Sequence, residues 1–133
     1  MEFDEEDWLD EQQDIAQLYM EKTGAQHGKI EKYPSFYVAP YLAVWAVESG
    51  KITNAVGWWV ITGDVPTDYV SSSGVGDARA ALRAFAERWH NSVELFNKGI
   101  ADPAIRLNSE TASLLEERTK ILSDWVLDDS KWK

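Results

Sequence analysis

Tyr41-Leu-Ala-Val-Trp-Ala-Val-Glu48 and Ala55-Val-Gly-Trp-Trp-Val-Ile-Thr62 are the two runs on which the reading of the fold turns. Both are dense in the β-branched and aromatic residues that strands favour, and Ser49-Gly50-Lys51-Ile52-Thr53-Asn54 between them is turn chemistry. They read as one antiparallel hairpin over about residues 41–62. Both parities are apolar: Tyr41, Trp45 and Val47 share one face and Leu42 and Val44 the other, with Trp58 and Val60 set against Trp59 and Ile61. A sheet with one wet face alternates apolar with polar residues, so this hairpin is expected to be covered on both faces by helices, or on one of them by a second subunit. A third short strand has room near Thr67 to Ser71.

Working outward, Asp4 followed by Asp7 is an N-cap with an acidic first turn, and Trp8, Ile15 and Tyr19 recur on one face beside Leu9, Ala16 and Met20. Lys22 and Gly24 supply the stop, which predicts a helix over about residues 4–23. Residues 24–40, with Gly24, Gly28, Pro34 and Pro40, read as a connection in which Phe36-Tyr37-Val38 forms at most a short strand. A second helix is expected over about residues 77–98. Ala78, Leu82, Phe85, Trp89, Val93 and Phe96 step by three or four, Asp77 caps the start and Gly99 ends it. Asp102-Pro103 breaks the chain and Asn108 or Ser109 restarts it. Ala112, Leu115, Leu122, Trp125 and Val126 then form the stripe of a third helix over about residues 109–127. The order α-β-β-α-α, without a βαβ crossover, specifies a small single α+β domain over residues 1–133: a β-hairpin packed against three helices.

The chain has 133 residues and a formal net charge of −10. Residues 1–14 hold Glu2, Asp4, Glu5, Glu6, Asp7, Asp10, Glu11 and Asp14 without a Lys or Arg, so this segment carries −8 and the remainder −2. Nucleic acids and anionic lipids are bound through Lys and Arg, so neither is an expected partner. An acidic run is either a solvated helix face or a docking surface for a basic protein partner, with Glu5, Glu6, Asp10 and Glu11 the residues to present it. Cysteine is absent, which removes disulfides and thiol chemistry and suits a reducing compartment. The acidic N-terminus does not resemble a signal peptide and no apolar run is long enough to span a bilayer, so the expected location is cytoplasmic.

Gly63-Asp64-Val65-Pro66-Thr67-Asp68-Tyr69 places two carboxylates, a hydroxyl and a phenol directly after the second strand. Pro66 fixes one φ, Gly63 permits an unusual one, and Asp64 and Asp68 can bond nearby amides, which describes a rigid turn. The same residues can instead form an acid/base pair or a cation site. Arg79 and Arg83, one turn apart early in the second helix, oppose its dipole and call for a compensating charge. Arg79 pairing with Asp64 or Asp68 supplies one, and an acidic ligand gripped by both arginines supplies another. Ser71-Ser72-Ser73-Gly74-Val75-Gly76 matches neither the P-loop nor the dinucleotide fingerprint. His27 and His90 fall on different elements, so no metal site is expected, and no cofactor. Of seven tryptophans only Trp132, beyond the last helix, lacks a core position; it either folds back or anchors an interface.

Val44-Trp45, the run from Trp58 through Tyr69, Ala78-Arg79-Ala80-Ala81-Leu82-Arg83, Arg88-Trp89 and the closing Trp132 together resemble a family of short bacterial proteins classed only as a domain of unknown function. The likeness spans nearly the whole chain. Its most specific part is the Gly-Asp-x-Pro-Thr-Asp loop at residues 63–68, followed by the Ala-Arg-x-Ala-Leu-Arg helix start at residues 78–83. The resemblance implies a bacterial, single-domain, intracellular protein and supplies no activity. Three functions stay open: a non-enzymatic interaction module, a small-molecule or anion site built from Asp64, Thr67, Asp68, Tyr69, Arg79 and Arg83, and a homodimer joined through the sheet.

Overall fold

The computed structural model describes residues 3–102 and 105–132. The chain divides after Ala81 into two compact units, residues 1–81 and 82–133. The first holds helix α1 (Glu5–Thr23), strands β1 (His27–Ile30), β2 (Phe36–Val38), β3 (Leu42–Ser49), β4 (Val56–Gly63) and β5 (Asp68–Ser71), and the first turn of α2 (Ala78–Asn97). The second holds the rest of α2, α3 (Ser109–Leu127) and a closing 3-10 turn, Asp129–Trp132.

The expected hairpin is β3 and β4, with Val44 opposite Ile61, Trp45 opposite Val60 and an irregularity between Val47 and Glu48. β5 adds the third strand on the far side of β4, with Val60 opposite Tyr69 and Ile61 opposite Asp68. All pairings are antiparallel. The sheet has more strands than the expected hairpin and third strand: in the connection over residues 24–40, Phe36–Val38 forms the short strand allowed there, and β1 is an addition. β1 pairs with the Val47 to Ser49 end of β3 and β2 with its Leu42 to Val44 end. Both are too short for a periodic signal, and prolines bracket β2. Between them Glu31 takes a strand's place: its N–H donates to Ala46 O at 3.1 Å, and its Oε1 accepts from Ala46 N at 2.8 Å and from the Ser35 hydroxyl at 2.7 Å.

Both faces of the hairpin are closed to solvent, as its two apolar parities require: Trp45, Val47 and Val60 on one, Leu42, Val44 and Ile61 on the other. α1 covers the first, with Ala16 and Met20 fully buried in a cluster with Ala43, Trp45, Val47 and Val60. The Trp45 indole N–H donates to the buried Thr62 hydroxyl at 3.2 Å. Asp4 caps α1 by accepting from Asp7 N, and Gly24 closes it in the left-handed region at φ 76°. Phe3 and Trp8, the residue before the cap and the fourth of the helix, have rings 6.5 Å apart, the spacing of a hydrophobic staple.

Glu48 organises the β3–β4 turn. Its carboxylate accepts from Asn54 N at 2.9 Å and Lys29 N at 3.2 Å, and these bonds, in that order, with a smaller contribution from the Lys29 charge, hold its pKa below the ordinary value. A depressed carboxylate stabilises the fold above its unfolded pKa, and the contribution is lost as pH falls through the folded pKa. Glu48→Gln is therefore expected to narrow the difference in melting temperature between neutral and acidic solution, as read by paired melts of both proteins. An unchanged difference would remove Glu48 from the acid response.

In the second unit Leu82, Phe85, Ala86, Trp89 and Val93 are buried along α2, with the Phe85 and Trp89 rings 6.2 Å apart. Gly99 at φ 73° ends the helix, and Ile100 N donates to Leu95 O at 2.9 Å. Asn108 and Thr111 form a capping box at the start of α3, whose buried stripe is Ala112, Leu115, Thr119, Leu122 and Val126.

Candidate functional site

The loop after β4 begins with a close backbone approach at Gly63. Its φ is +123°, and a Cβ there would run into Tyr41 O and come within 2.7 Å of Leu42 Cα. The next amide, Asp64 N, donates to that same Tyr41 O at 2.7 Å. The loop thus leaves β4 pressed against the start of β3, with Asp64 exposed and Thr67 half-buried.

Asp68 and Tyr69 then enter β5, and strand alternation sends them to opposite faces. Asp68 is 5% exposed, on the Ile61 side, and its Oδ1 accepts from Tyr69 N at 2.8 Å. Tyr69 lies on the α1 side, its ring 5.8 Å from Tyr19 and 5.6 Å from Trp58. The phenol therefore belongs to an aromatic cluster under α1 and does not converge with Asp68. Asp64, Asp68 and Arg79 are each engaged in polar or electrostatic contact, and Arg79 is half-buried in the first turn of α2. Arg83 is exposed and belongs to the second unit.

The serine-glycine loop is tied down. Ser72 donates its N–H to Gly57 O and its hydroxyl to Val56 O, and the Trp59 indole donates to Val75 O at 2.9 Å. At the start of α2 the Asp77 carboxylate already accepts from Ala80 N at 2.8 Å, so a negative charge occupies the place an anion would take.

On α1, Glu5, Glu6, Asp10 and Glu11 are all exposed, while Leu9, Ala16 and Met20 are buried on the opposite side, the last two in the core cluster with the sheet. Gln12 is buried among the latter, with its side-chain oxygen lacking a hydrogen-bond partner. Trp132 folds back onto α3: its indole N–H donates to Trp125 O at 3.0 Å, and Lys131 Nζ lies 5.1 Å from the Trp125 ring centroid. His27 Nδ1 is 2.9 Å from Gly28 O, and His90 Nε2 is 3.9 Å from a Glu94 oxygen. Among the described residues no group of three or more His, Asp or Glu side chains is placed to hold a metal ion, and no helix is long and apolar enough to cross a membrane.

Two features have no signal in the sequence pattern. One is a groove of about 300 Å³ between α2 and α3, lined by Arg83, Ala86, Glu87, His90, Ser123 and Val126 among others. It joins residues far apart in sequence, so no local motif reports it. The other is the contact of Trp8 with Tyr37 of β2, ring centroids 6.4 Å apart. The staple spacing can account for the Phe3–Trp8 half of that cluster but not for Tyr37.

Among the described residues, three α-helices and an antiparallel five-stranded sheet place the protein in the α+β class. No curated protein and no solved structure gives a significant match to it. The chain belongs to the family described as a domain of unknown function, DUF4826, whose model matches residues 2–132.

Proposed function

We propose that this is a small acidic cytoplasmic protein of bacterial origin acting as a non-enzymatic interaction module, and that it docks a basic protein through α1. The observation that carries this reading is the division of labour on that helix: one side is buried in the sheet core, and the other displays Glu5, Glu6, Asp10 and Glu11 to solvent. Glu6 and Asp10 are four residues apart, so like charges face each other across one turn without helping the helix itself.

The test is a variant carrying Glu5→Gln, Glu6→Gln, Asp10→Asn and Glu11→Gln. Asp4 stays to cap the helix and Asp7 to keep a charge in its first turn, and each lost first-turn charge costs about 0.3–1 kcal/mol, partly offset by relieved repulsion. The variant is expected to fold and to lose a near-stoichiometric partner that the parent retains from lysate of its native host at moderate salt. Retention of that partner would take α1 out of the interface.

A second reading, a small-molecule anion site, is favoured by the groove that holds Arg83 beside His90 and Ser123 over the apolar Ala86 and Val126. It replaces a convergence of the loop with Tyr69, which the two faces of β5 separate. Titration with an aromatic carboxylate is expected to move the amide resonances of these groove residues and, in Arg83→Ala, to leave them in place. Unmoved resonances in the parent would end this reading.

A further inference from the structure

We propose that the interaction surface of α1 is an arginine-selective seat built on the aromatic cluster Phe3–Trp8–Tyr37, with Asp4, Glu5 and Glu11 as its anionic rim. The inference rests on the module reading above and names the chemistry of the partner: an arginine-bearing segment of another protein.

The aromatic cluster is independent of the charges. Phe3, Trp8 and Tyr37 are in sequential ring contact at 6.5 and 6.4 Å, yet Phe3 is 55% and Tyr37 37% exposed. A staple accounts for Phe3 touching Trp8. It does not account for a third ring arriving from β2, nor for so much aromatic surface left in water.

Carboxylates surround this cluster by helix geometry. Asp4 and Glu5 precede Trp8 by four and three residues and Glu11 follows it by three, so each lies one turn from the indole, with Cβ atoms about 5–6 Å away for the helical pairs. All three are exposed. Aromatic faces attract cations, and tryptophan does so best. A guanidinium is planar, is weakly hydrated, stacks on rings and can bond a carboxylate with two N–H groups at once, whereas an ammonium is a compact, strongly hydrated charge. Rings beside carboxylates therefore discriminate in favour of arginine. A second copy of this chain is the wrong occupant for the same face, since it would bring its own carboxylates against these.

The probes are an arginine–glycine repeat peptide and lysine–glycine and glutamate–glycine repeats of equal length, titrated into the full chain by calorimetry with the indole N–H resonances followed in parallel. The arginine peptide is expected to bind more tightly than the lysine peptide and to shift the Trp8 indole signal, and the glutamate peptide not to bind. Tyr37→Ala and, as a second variant outside the helix and strands, Phe3→Ala leave the charge untouched; each is expected to weaken arginine-peptide binding about threefold to tenfold. Glu5→Gln with Glu11→Gln should weaken it further and flatten its salt dependence, while the control pair Glu21→Gln with Glu116→Gln should change it little.

Absence of arginine-peptide binding, equal affinity for arginine and lysine, or full binding by both aromatic variants would overturn the proposal. Its failure is separable from failure of the module reading. A native partner lost on neutralising α1 but kept by Tyr37→Ala and Phe3→Ala leaves the helix as the interface and removes the aromatic seat, whereas a partner kept by the neutralised helix removes both.

Discussion

Gly63→Ala is expected to lower the stability of the first unit by on the order of 3 kcal/mol, read as a fall in the denaturation midpoint at unchanged slope. Two costs combine at this position. A φ of +123° lies where L side chains are strained, and the new methyl group would be driven into Tyr41 O and against Leu42 Cα, both backbone and unable to swing aside. Gly74→Ala separates the two. Gly74 has φ +74°, and a methyl group added there would meet nothing within 4 Å, so only the conformational cost of the left-handed region, about 1–2 kcal/mol, applies. Equal losses for the two variants would mean that the close approach to β3 contributes nothing.

Trp45→Ala is expected to be the most damaging single truncation in the sheet, at about 3–5 kcal/mol. Trp45 is fully buried and is among the largest such side chains, in a cluster with Ala16 and Met20 of α1 and Val60 of β4. Its removal opens a cavity between helix and sheet. Thr62→Val keeps the volume but strands the buried indole N–H, at a cost of about 1–3 kcal/mol. Trp45→Phe combined with Thr62→Val removes both partners, so the second change should cost less in that background than in the parent. Strict additivity in chemical denaturation would show that the 3.2 Å contact carries no coupling.

Elements whose own residues set their period were legible. The hairpin declared itself through apolar residues on both parities. α2 did so through its three-and-four stepping from Ala78 to Phe96, and α3 through its stripe, although Thr119 filled a buried position that an apolar reading passes over, by donating its hydroxyl to Leu115 O. Elements that exist only because a neighbour offers a register were not. β1 is the clear case, held by β3 and by Glu31 with no signal in its own residues, whereas the short strand allowed at Phe36–Val38 is there as β2. Gln12 is the opposite case: a polar residue in an acidic run that the helical period nonetheless places one turn from Leu9 and Ala16, on the buried side.

For the candidate site, the unusual φ of Gly63 followed from its being glycine, but the convergence of the loop's polar groups depended on where β5 begins. Once the strand starts at Asp68, alternation alone separates Asp68 from Tyr69. Exposure of Glu5, Glu6, Asp10 and Glu11 followed from the apolar stripe of α1. The ring that completes the cluster at Trp8 did not, because Tyr37 reaches it through the pairing of β2 with β3.

The seat that Glu31 occupies beside Ala46 has a consequence for how this molecule meets others. A sheet margin with a continuous row of unspent amides and carbonyls recruits any extended chain, which is how fibres are seeded. Here the margin is cut into two short pieces, and a carboxylate already satisfies the amide at the gap. A visiting strand would find no unbroken template to copy, so recognition on this flank falls to side chains, where sequence can be read and a wrong partner refused.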